Sequence, residues 1–575
     1  MRELKFFYAL ALVTVVAASL GACSAGRMDK SAALGVAPSP VTFSGSYLAG
    51  RFAQQQGDWN TAQKYMDNAL AYDGGNAGLM QRTFLLAIGA GDFAAARELA
   101  AKLAAAGSAD GGDVDALALI FLGCDAIGRH DYKGALAYLQ KLPDNGFGTY
   151  TKPMLTAWAK MGAGDKTGAL KALGRSLAPT DPSYGMYAGL MQELSGNMNA
   201  AADDYKVAMS GGLGLHEAVL TANFFTRYGE PEISREIYRQ LAAVYPYNPY
   251  IEAMEHSDPL RAVPPDIASA SDGAAIAMFD LASVLYEKHA TDSAQIYGNL
   301  VALLAPASPF ARIMQGDIAA LHKNYAAAIA DYAAVEPAAP VYWIAQVRLT
   351  ETYETAGQTD KSVAMLAALE KNPFARQGAL VSLGDTYRRH ARYAEAVAAY
   401  TQALGAAAAT PDEWPVLYAQ GMAESQLNDW PAAEKDLTQA LAFQPDNPMI
   451  LNFLAYSWAS RGVNLDKALA YARHAVRLRP DDGYILDSYG WTLFRLARYG
   501  QAVVWLKQAV AQVPDDTTLL DHLGDAYWES GSRDAARDQW RHARDVSQDA
   551  SFRAVVAQKI AHGITVPSEL SSNTP

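Results

Sequence analysis

A pattern of small residues, one bulkier apolar residue and a proline recurs in the C-terminal half of the chain at a step of 34 residues, the distance from Gly490 to Gly524. It is formed by Gly490, Ala502, Leu506, Ala509 and Pro514 and recurs, without the proline, as Gly524, Ala536, Trp540 and Ala543. Two earlier copies are Gly421, Ala433, Leu437, Ala440 and Pro445 and, with one residue inserted, Ala455, Ala468, Ala472, Ala475 and Pro480. A fixed period in this range is typical of a solenoid of helical pairs.

The turn residues independently indicate where the first helix of each pair ends and the second begins. A short polar or glycine-containing turn is followed by an aromatic residue in Gly57-Asp58-Trp59, Gly91-Asp92-Phe93, His130-Asp131-Tyr132, Lys323-Asn324-Tyr325, Asn428-Asp429-Trp430 and Ala497-Arg498-Tyr499. The turn is expected to end the first helix of a pair, and the aromatic residue to begin the second. Alanine recurs near the middle of the second helix, as Ala62, Ala96, Ala135, Ala169, Ala201, Ala294, Ala328, Ala396 and Ala433. A larger residue there would push neighbouring helices apart.

This period and pattern resemble the tetratricopeptide repeat, a helix–turn–helix unit that stacks into a superhelix. The resemblance implies an all-α fold, an α-α superhelix of about fourteen helix–turn–helix repeats. Each repeat packs only on its neighbours, so the 575 residues need not divide into separate cores. With 51% apolar and 19% charged residues, the chain is foldable rather than disordered.

The repeats are interrupted once, where Pro249, Pro259, Pro264 and Pro265 fall close together. Proline cannot continue a helix, so this segment is either a break between two sub-arrays or a long ordered loop within one superhelix. The predicted organisation is a degenerate array over 42–248, a proline-rich break over 249–273, a more regular array over 274–549 and a C-terminal tail over 550–575. The end of that tail, Pro567–Pro575, is expected to be frayed.

The first 22 residues are predicted to be a targeting segment: Arg2 and Lys5 precede an uncharged, largely apolar run from Phe6 to Ala18. The sequence Leu20-Gly21-Ala22-Cys23 resembles the bacterial lipobox, which is cleaved before a lipid-modified cysteine; an ordinary secretory signal is the alternative. Residues 1–22 would then be a lipoprotein signal peptide and 23–41 a flexible tether. In lipoproteins an Asp after the cysteine commonly signals retention in the inner membrane. Ser24 therefore favours the outer membrane, facing the periplasm.

Charge and cysteine content limit the partners. The net charge is −13, and removal of residues 1–22 changes it to 45 − 59 = −14, without a long basic stripe, so a nucleic-acid partner is not expected. With Cys23 acylated, Cys124 has no partner for an intramolecular disulfide, and we assign it no redox role.

No convincing catalytic or metal-binding spacing is present, and we predict neither an enzyme nor a cofactor. The sequence has no HExxH or GxSxG motif. Gly162-Ala163-Gly164-Asp165-Lys166-Thr167 resembles a phosphate loop only superficially, because Asp165 would repel phosphate. Asp521, His522 and Asp525 lie within about one helical turn, but such residues more often form a polar helix face than a metal site.

In tetratricopeptide arrays the first helices of the pairs line the concave face. Transferring the positions that face this groove gives twelve predicted partner-binding residues: Asp385, Arg388, Tyr418, Met422, Asn452, Tyr456, Asp487, Trp491, Phe494, Asp521, Asp525 and Trp528. Polar side chains beside aromatic ones suit an extended peptide, and the acidic residues favour a basic or neutral segment. Aromatic residues at helical spacing are, alternatively, inter-repeat core. If they bind a ligand, replacing Trp491 and Asp487 should abolish partner capture and leave thermal unfolding largely unchanged.

The predicted function is a non-enzymatic, lipid-anchored scaffold that binds proteins at the outer membrane. Residues Leu451 to Ala543 resemble a group of tetratricopeptide lipoproteins of Gram-negative bacteria through the segments LNFLAYSWASRGVNLDKAL, ILDSYGWTLFRLARYGQAV and DHLGDAYWESG. A role in exopolysaccharide export or outer-membrane assembly is one alternative. Binding of glycan or peptidoglycan by aromatic platforms such as Trp491 and Trp528 is another.

Overall fold

The computed structural model describes residues 42–109, 115–146, 148–245, 248–256, 263–373, 375–405 and 410–564. The targeting segment, the tether with Cys23 and the segment Pro567–Pro575 lie outside these residues. Within the described ranges, all regular secondary structure is helical.

The helices of the N-terminal half are α1 (Phe43–Gln55), α2 (Trp59–Tyr72), α3 (Ala77–Gly89), α4 (Phe93–Ala109), α5 (Ala116–Gly128), α6 (Tyr132–Lys141), α7 (Gly148–Gly162), α8 (Lys166–Leu173), α9 (Pro182–Leu194), α10 (Met198–Met209), α11 (Leu215–Tyr228), α12 (Pro231–Val244), α13 (Pro249–Glu255), α14 (Ala270–Glu287) and α15 (Thr291–Leu304). Those of the C-terminal half are α16 (Pro309–Leu321), α17 (Tyr325–Ala333), α18 (Tyr342–Thr355), α19 (Thr359–Leu369), α20 (Arg376–Arg389), α21 (Tyr393–Leu404), α22 (Trp414–Gln426), α23 (Trp430–Phe443), α24 (Pro448–Arg461), α25 (Leu465–Leu478), α26 (Gly483–Arg495), α27 (Tyr499–Gln512), α28 (Thr517–Glu529), α29 (Arg533–Val546) and α30 (Ala550–His562).

Helices α1–α12 form six antiparallel pairs and α14–α29 form eight, which confirms the predicted number of about fourteen repeats. Helices α13 and α30 stand outside the pairs. First helices of neighbouring pairs also contact each other, as α24 does with α26 and α26 with α28, so that they line one inner face. This is the α-α superhelix expected from the repeat.

The turns between paired helices confirm the predicted register. In all six predicted turns the first residue has a positive φ, for example 61° at His130 and 60° at Asn428, which reverses the chain after the first helix. The next residue caps the second helix in most of them; Asp131 accepts a hydrogen bond from the Gly134 amide at 2.9 Å. The aromatic residue that follows is the first residue of α2, α4, α6, α17, α23 or α27.

The two helices of a pair approach closely because a large residue of the second helix lies over a small residue of the first. A Cβ atom added to Gly316 would lie 2.5 Å from the Tyr332 ring, and one added to Gly490 would lie 2.6 Å from Leu506. The recurring alanines of the second helices are fully buried in the same contacts, including Ala62, Ala328 and Ala433. Small side chains therefore set the distance between the helices.

The segment predicted as a proline-rich break contains regular structure. Pro249 is the first residue of α13, where its missing amide hydrogen is not needed, and Asn248 caps this helix. Helix α14 begins at Ala270 with a capping box between Ser269 and Asp272. A single apolar core runs across the segment, from Phe84 to Ile318.

The predicted C-terminal tail is also partly regular. Residues Ala550–His562 form α30, which packs against α29 through Val556. Asp549 caps its first turn by accepting from the Ser551 amide at 2.7 Å.

One repeat carries polar residues where its neighbours carry core residues. Gln420 and Glu424 occupy the positions of Leu383 and Tyr387 in the preceding first helix, and both are buried. The Gln420 amide donates to Glu424 at 3.2 Å. Burial, with the charges of Asp436 and Asp429, raises the pKa of Glu424 to about 7. The charged form of Glu424 therefore weakens this repeat.

We expect Gly316→Ala to lower the unfolding free energy by about 1–3 kcal/mol, because the new methyl group would overlap the Tyr332 ring. The measurement is the urea midpoint. Gly500→Ala is the matched control: Gly500 has open space around its Cβ position and lies in helix α27, so alanine should stabilise by about 0.5–1 kcal/mol. Equal effects of the two substitutions would contradict this packing.

We expect Glu424→Gln to stabilise the chain by about 1–2 kcal/mol at pH 8, an amount reduced by solvent screening, and to have little effect near pH 4. The folded pKa of about 7 lies above the ordinary value of 4.5. Protonated Glu424 therefore stabilises the folded state relative to charged Glu424. This contribution is complete below pH 4.5 and is lost as the pH rises through about 7. Unfolding midpoints measured from pH 4 to 9 check this, with the exposed Glu529→Gln as control. A pH-independent difference would show that Glu424 does not titrate in this way.

Candidate binding groove

The inner face of the superhelix has two parts. We name the inner face of α3, α5, α7 and α9 the N-terminal groove, and that of α20, α22, α24, α26 and α28 the C-terminal groove. All twelve predicted partner-binding residues lie on the helices of the C-terminal groove.

The N-terminal groove is filled by the chain itself. Helix α14 packs against α5, α7 and α9, and α15 packs against α3 and α5. Polar contacts fix this arrangement: the Asn299 side-chain amide donates to the carbonyl oxygens of Ile88 and Gly89, both at 2.8 Å. The Gln315 amide in turn donates to the side-chain carbonyl oxygen of Asn299 at 2.6 Å. Both the amide nitrogen and the carbonyl oxygen of the buried Asn299 side chain are thus hydrogen-bonded.

Side chains close the remainder of the N-terminal groove. The fully buried Trp158 ring lies directly against Gly273 of α14, where any Cβ atom would collide with it. Tyr187 donates to Asp280, and Tyr150 lies 3.1 Å from the Tyr187 hydroxyl. Burial, followed by the charge of Glu217, raises the pKa of Asp280 to about 7. Helices α14 and α15 therefore occupy the place that a ligand of this groove would take.

Cys124, which lies at a groove-facing position of the repeat, belongs to this filled region. Its side chain is fully buried in the core shared with α14 and α15. Burial, with the charge of Asp125, raises the pKa of the thiol well above its ordinary value. The thiol is therefore protonated and inaccessible.

In the C-terminal groove, two predicted acids accept hydrogen bonds within their own repeats. Asp385 accepts from the Tyr400 hydroxyl at 2.7 Å, and Asp525 from the Trp540 indole nitrogen at 3.1 Å. The same spacing of 15 residues joins Asp317 to Tyr332 at 2.6 Å. Arg388 lies beside the first of these bonds, 3.4 Å from Asp385 and 3.3 Å from the Tyr400 hydroxyl.

Asp487, Trp491 and Phe494 form a buried cluster with His522, for which the sequence suggests no groove role. His522 Nδ1 lies 3.0 Å from both carboxylate oxygens of Asp487. Its ring stacks on Trp491 with a centroid distance of 4.0 Å, and Trp491 stacks on Phe494 at 4.8 Å. Burial lowers the pKa of His522, but Asp487 outweighs it, and the pKa lies above its ordinary value. These side chains are 3–9% exposed, as inter-repeat core would be.

Asp521, Asp525 and Trp528 lie at the end of the C-terminal groove, where α30 covers them. Lys559 of α30 bonds to both carboxylates, and Trp528 packs against Trp540. Within the described residues no group of three or more potential ligands is placed to hold a metal. Likewise, no helix in the described part of the chain has the length and apolar character needed to cross a bilayer.

Tyr418, Met422, Asn452 and Tyr456 are predicted residues that keep partial exposure and make no ion pair; Trp528 is also partly exposed but lies beside Arg533 and Arg537. Five side-chain polar atoms on the helices of the C-terminal groove are buried without a hydrogen-bond partner in the described structure: Gln420 Oε1, Glu424 Oε2, Ser460 Oγ, Asn452 Oδ1 and Trp491 Nε1. Two of them belong to predicted groove residues, the carbonyl oxygen of Asn452 on α24 and the indole nitrogen of Trp491 on α26. One accepts and the other donates. An unpaired donor and an unpaired acceptor on adjacent helices are what a peptide backbone can satisfy.

Comparison with known proteins identifies the repeat. Family models described as tetratricopeptide repeat match residues 378–410 and 418–483. The chain contains tetratricopeptide repeats. A curated relative, a TPR repeat-containing protein of Pseudomonas aeruginosa, is 32% identical over 212 residues, which are 36% of this chain and 35% of the relative. The chain thus matches about a third of that relative's length. The tetratricopeptide fold is typically a non-catalytic scaffold for protein–protein interactions, and neither family model describes an enzyme.

Three solved structures match the chain at low sequence identity and with TM-scores below 0.5. The APC/C hetero-tetramer Cut9–Hcn1 is 12% identical and covers 90% of this chain and 96% of its own, with a TM-score of 0.37. Yeast Tom70 is 13% identical and covers 78% and 95%, with a TM-score of 0.33. A tetratricopeptide repeat protein from Parabacteroides merdae is 15% identical and covers 44% and 96%, with a TM-score of 0.35. This similarity concerns the fold alone.

The burial of Trp491 and Asp487 changes the result expected when both are replaced by alanine. We now expect the unfolding free energy to fall by more than about 3 kcal/mol, because a buried ring is lost and His522 loses its carboxylate partner. Urea unfolding measures this. The matched control replaces Tyr484, exposed in the first turn of the same helix, and Asp481, exposed just before it, and should change stability by less than about 1 kcal/mol. Unfolding unchanged in both variants would restore the first expectation.

Proposed function

We propose that this protein is a non-enzymatic scaffold, anchored through a lipid on Cys23 to the outer membrane and facing the periplasm, and that it binds an extended segment of a partner protein in the C-terminal groove. The repeat fold supports the scaffold role. The lipobox-like sequence Leu20-Gly21-Ala22-Cys23 supports the anchor and the location.

The observation that carries the binding proposal is the partly exposed stretch of Tyr418, Met422, Asn452 and Tyr456, in which Asn452 Oδ1 has no hydrogen-bond partner. An unpaired buried polar group costs about 1–3 kcal/mol, which favours a ligand that supplies an N–H to Asn452. The filled N-terminal groove leaves the C-terminal groove as the open inner surface. Asp385 and Asp521 pair with Arg388 and Lys559, so the groove carries little uncompensated charge, and the proposed ligand is a neutral or basic segment.

The contacts of the tryptophan rings disfavour glycan or peptidoglycan binding on aromatic platforms. Trp491 stacks with Phe494 and His522. The guanidinium groups of Arg533 and Arg537 lie 5.0 and 5.3 Å from the centroid of the Trp528 ring. Rings engaged in this way do not offer free faces to a sugar. A part in exopolysaccharide export or outer-membrane assembly is compatible with the scaffold and would be decided by the identity of the partner.

A photo-crosslinking amino acid placed in the full-length protein in its bacterial host tests the groove. With the crosslinker at Met422, we expect a defined adduct to one partner that is lost when Asn452→Leu removes the unpaired acceptor. The matched control carries it at Val504, which is exposed on a second helix of the same array. Equal adducts from both positions, or an adduct unaffected by Asn452→Leu, would count against groove binding.

The anchor is tested separately by labelling cells with palmitate. The wild-type chain should incorporate the label and sediment with the outer-membrane fraction, whereas Cys23→Ser should do neither. Label in the Cys23→Ser chain, or none in the wild type, would contradict lipid attachment at this cysteine.

A further inference from the structure

Lys559 occupies an acidic site at the end of the C-terminal groove. The residue belongs to α30, which follows the last helical pair, and its ammonium group reaches back to α28. The Nζ atom lies 2.7–2.9 Å from all four carboxylate oxygens of Asp521 and Asp525. It also lies 6.0 Å from the centroid of the Trp540 ring. Carboxylates and an aromatic ring thus surround one cation.

This contact is partly shielded from water. The side chains of Lys559 and Asp521 are 19% and 16% exposed, and that of Asp525 is 9% exposed. Burial, with the charge of Asp521, raises the pKa of Asp525 to about 6. Burial lowers the pKa of Lys559, but the two carboxylates outweigh it and the pKa lies above its ordinary value. Without a cation, two adjacent carboxylates would be left close together at low exposure.

Apart from this lysine, few side chains of α30 are buried, although the Arg537 side chain donates to the Ile560 carbonyl oxygen at 3.2 Å. Val556 is the one buried residue among its 13, whereas α28 of the same length has seven. Phe552 and Ile560 add partial contacts, and Val555 points outward with 56% exposure. Elements with so few buried contacts open at a lower free energy than the body of a protein. Opening of α30 would expose Asp521 and Asp525 without disturbing the repeats.

We propose that Asp521, Asp525 and Trp540 form a binding site for a lysine side chain carried on a short helix, that α30 occupies this site within its own chain, and that a partner segment of the same chemistry displaces it. This rests on the proposed scaffold function and specifies the ligand of one end of its groove. The four oxygens converge on a single point, which suits a compact ammonium group. A planar guanidinium instead prefers two parallel hydrogen bonds to one carboxylate.

Peptide binding to the purified full-length protein tests the site. The probe is a fluorescent synthetic peptide with the sequence of residues 549–564, compared with the same peptide carrying Lys559→Gln. The proteins are the wild type, the Lys559→Gln chain and a control, Arg553→Gln, which changes an exposed cation of the same helix. Fluorescence anisotropy gives the dissociation constants.

We expect the Lys559→Gln protein to bind the lysine peptide at least tenfold more tightly than the wild type and the control do. It should also prefer the lysine peptide over the glutamine peptide by at least tenfold, and lose affinity as salt increases. Adding Asp521→Asn and Asp525→Asn should abolish the preference. Equal binding of the two peptides, or no binding by the Lys559→Gln protein, would overturn the proposal.

Hydrogen exchange of the wild-type chain provides a second test that depends on no substitution. Amides of Ala550–His562 should exchange at least tenfold faster than those of Thr517–Glu529, because α30 opens by itself. Equal protection would show that α30 is a fixed part of the last repeat and would overturn its displacement. Neither test involves the membrane or the Met422 crosslink, so failure here leaves the results for the proposed function intact.

Discussion

The structure depends on close contact between a large residue of one helix and a glycine or alanine of its partner. Tyr332 over Gly316 and Leu506 over Gly490 are two instances of this contact. The contact recurs through the pairs, so their spacing stays nearly constant and the first helices line up along one inner face. Stability is then distributed as a sum of similar units and of the interfaces between neighbours.

The same contact determines what the inner face can offer to a ligand. In three pairs the large residue is Tyr or Trp and its polar atom donates to the residue that follows the glycine, which is Asp317, Asp385 or Asp525. Tyr205, which lies over Gly189, donates instead to Glu193. Where Leu139, Leu437 or Leu506 lies over a glycine, no such bond forms, and the next residue is Cys124, Met422 or Trp491. The pairs with leucine therefore leave an inner-face position that is not used within the repeat.

The helix boundaries within each pair could be predicted from sequence because the residues that set them are neighbours in the chain. The left-handed turn residue, the cap and the aromatic residue lie within three consecutive positions, as in His130, Asp131 and Tyr132. The hydrogen bond from Asn299 to Ile88 joins residues separated by 211 positions, and the 34-residue repeat pattern does not predict it. Lys559 was missed for a similar reason, since it follows the last copy of the pattern. The predicted groove positions lie on first helices of the pairs, but burial of Trp491 depends on His522 from the next repeat, which the period does not predict.

Self-filling of the N-terminal groove has a consequence for biogenesis. A ribosome adds about 5–20 residues each second, so Ile88 emerges roughly 10–40 s before the asparagine that covers it. Until α14 and α15 have been made, Trp158 and Cys124 lack the helices that bury them, and the carbonyl groups of Ile88 and Gly89 lack their hydrogen-bond donor. A nascent chain in this state is a natural client for a chaperone, and its first half reaches a finished form only after residue 304 has been made.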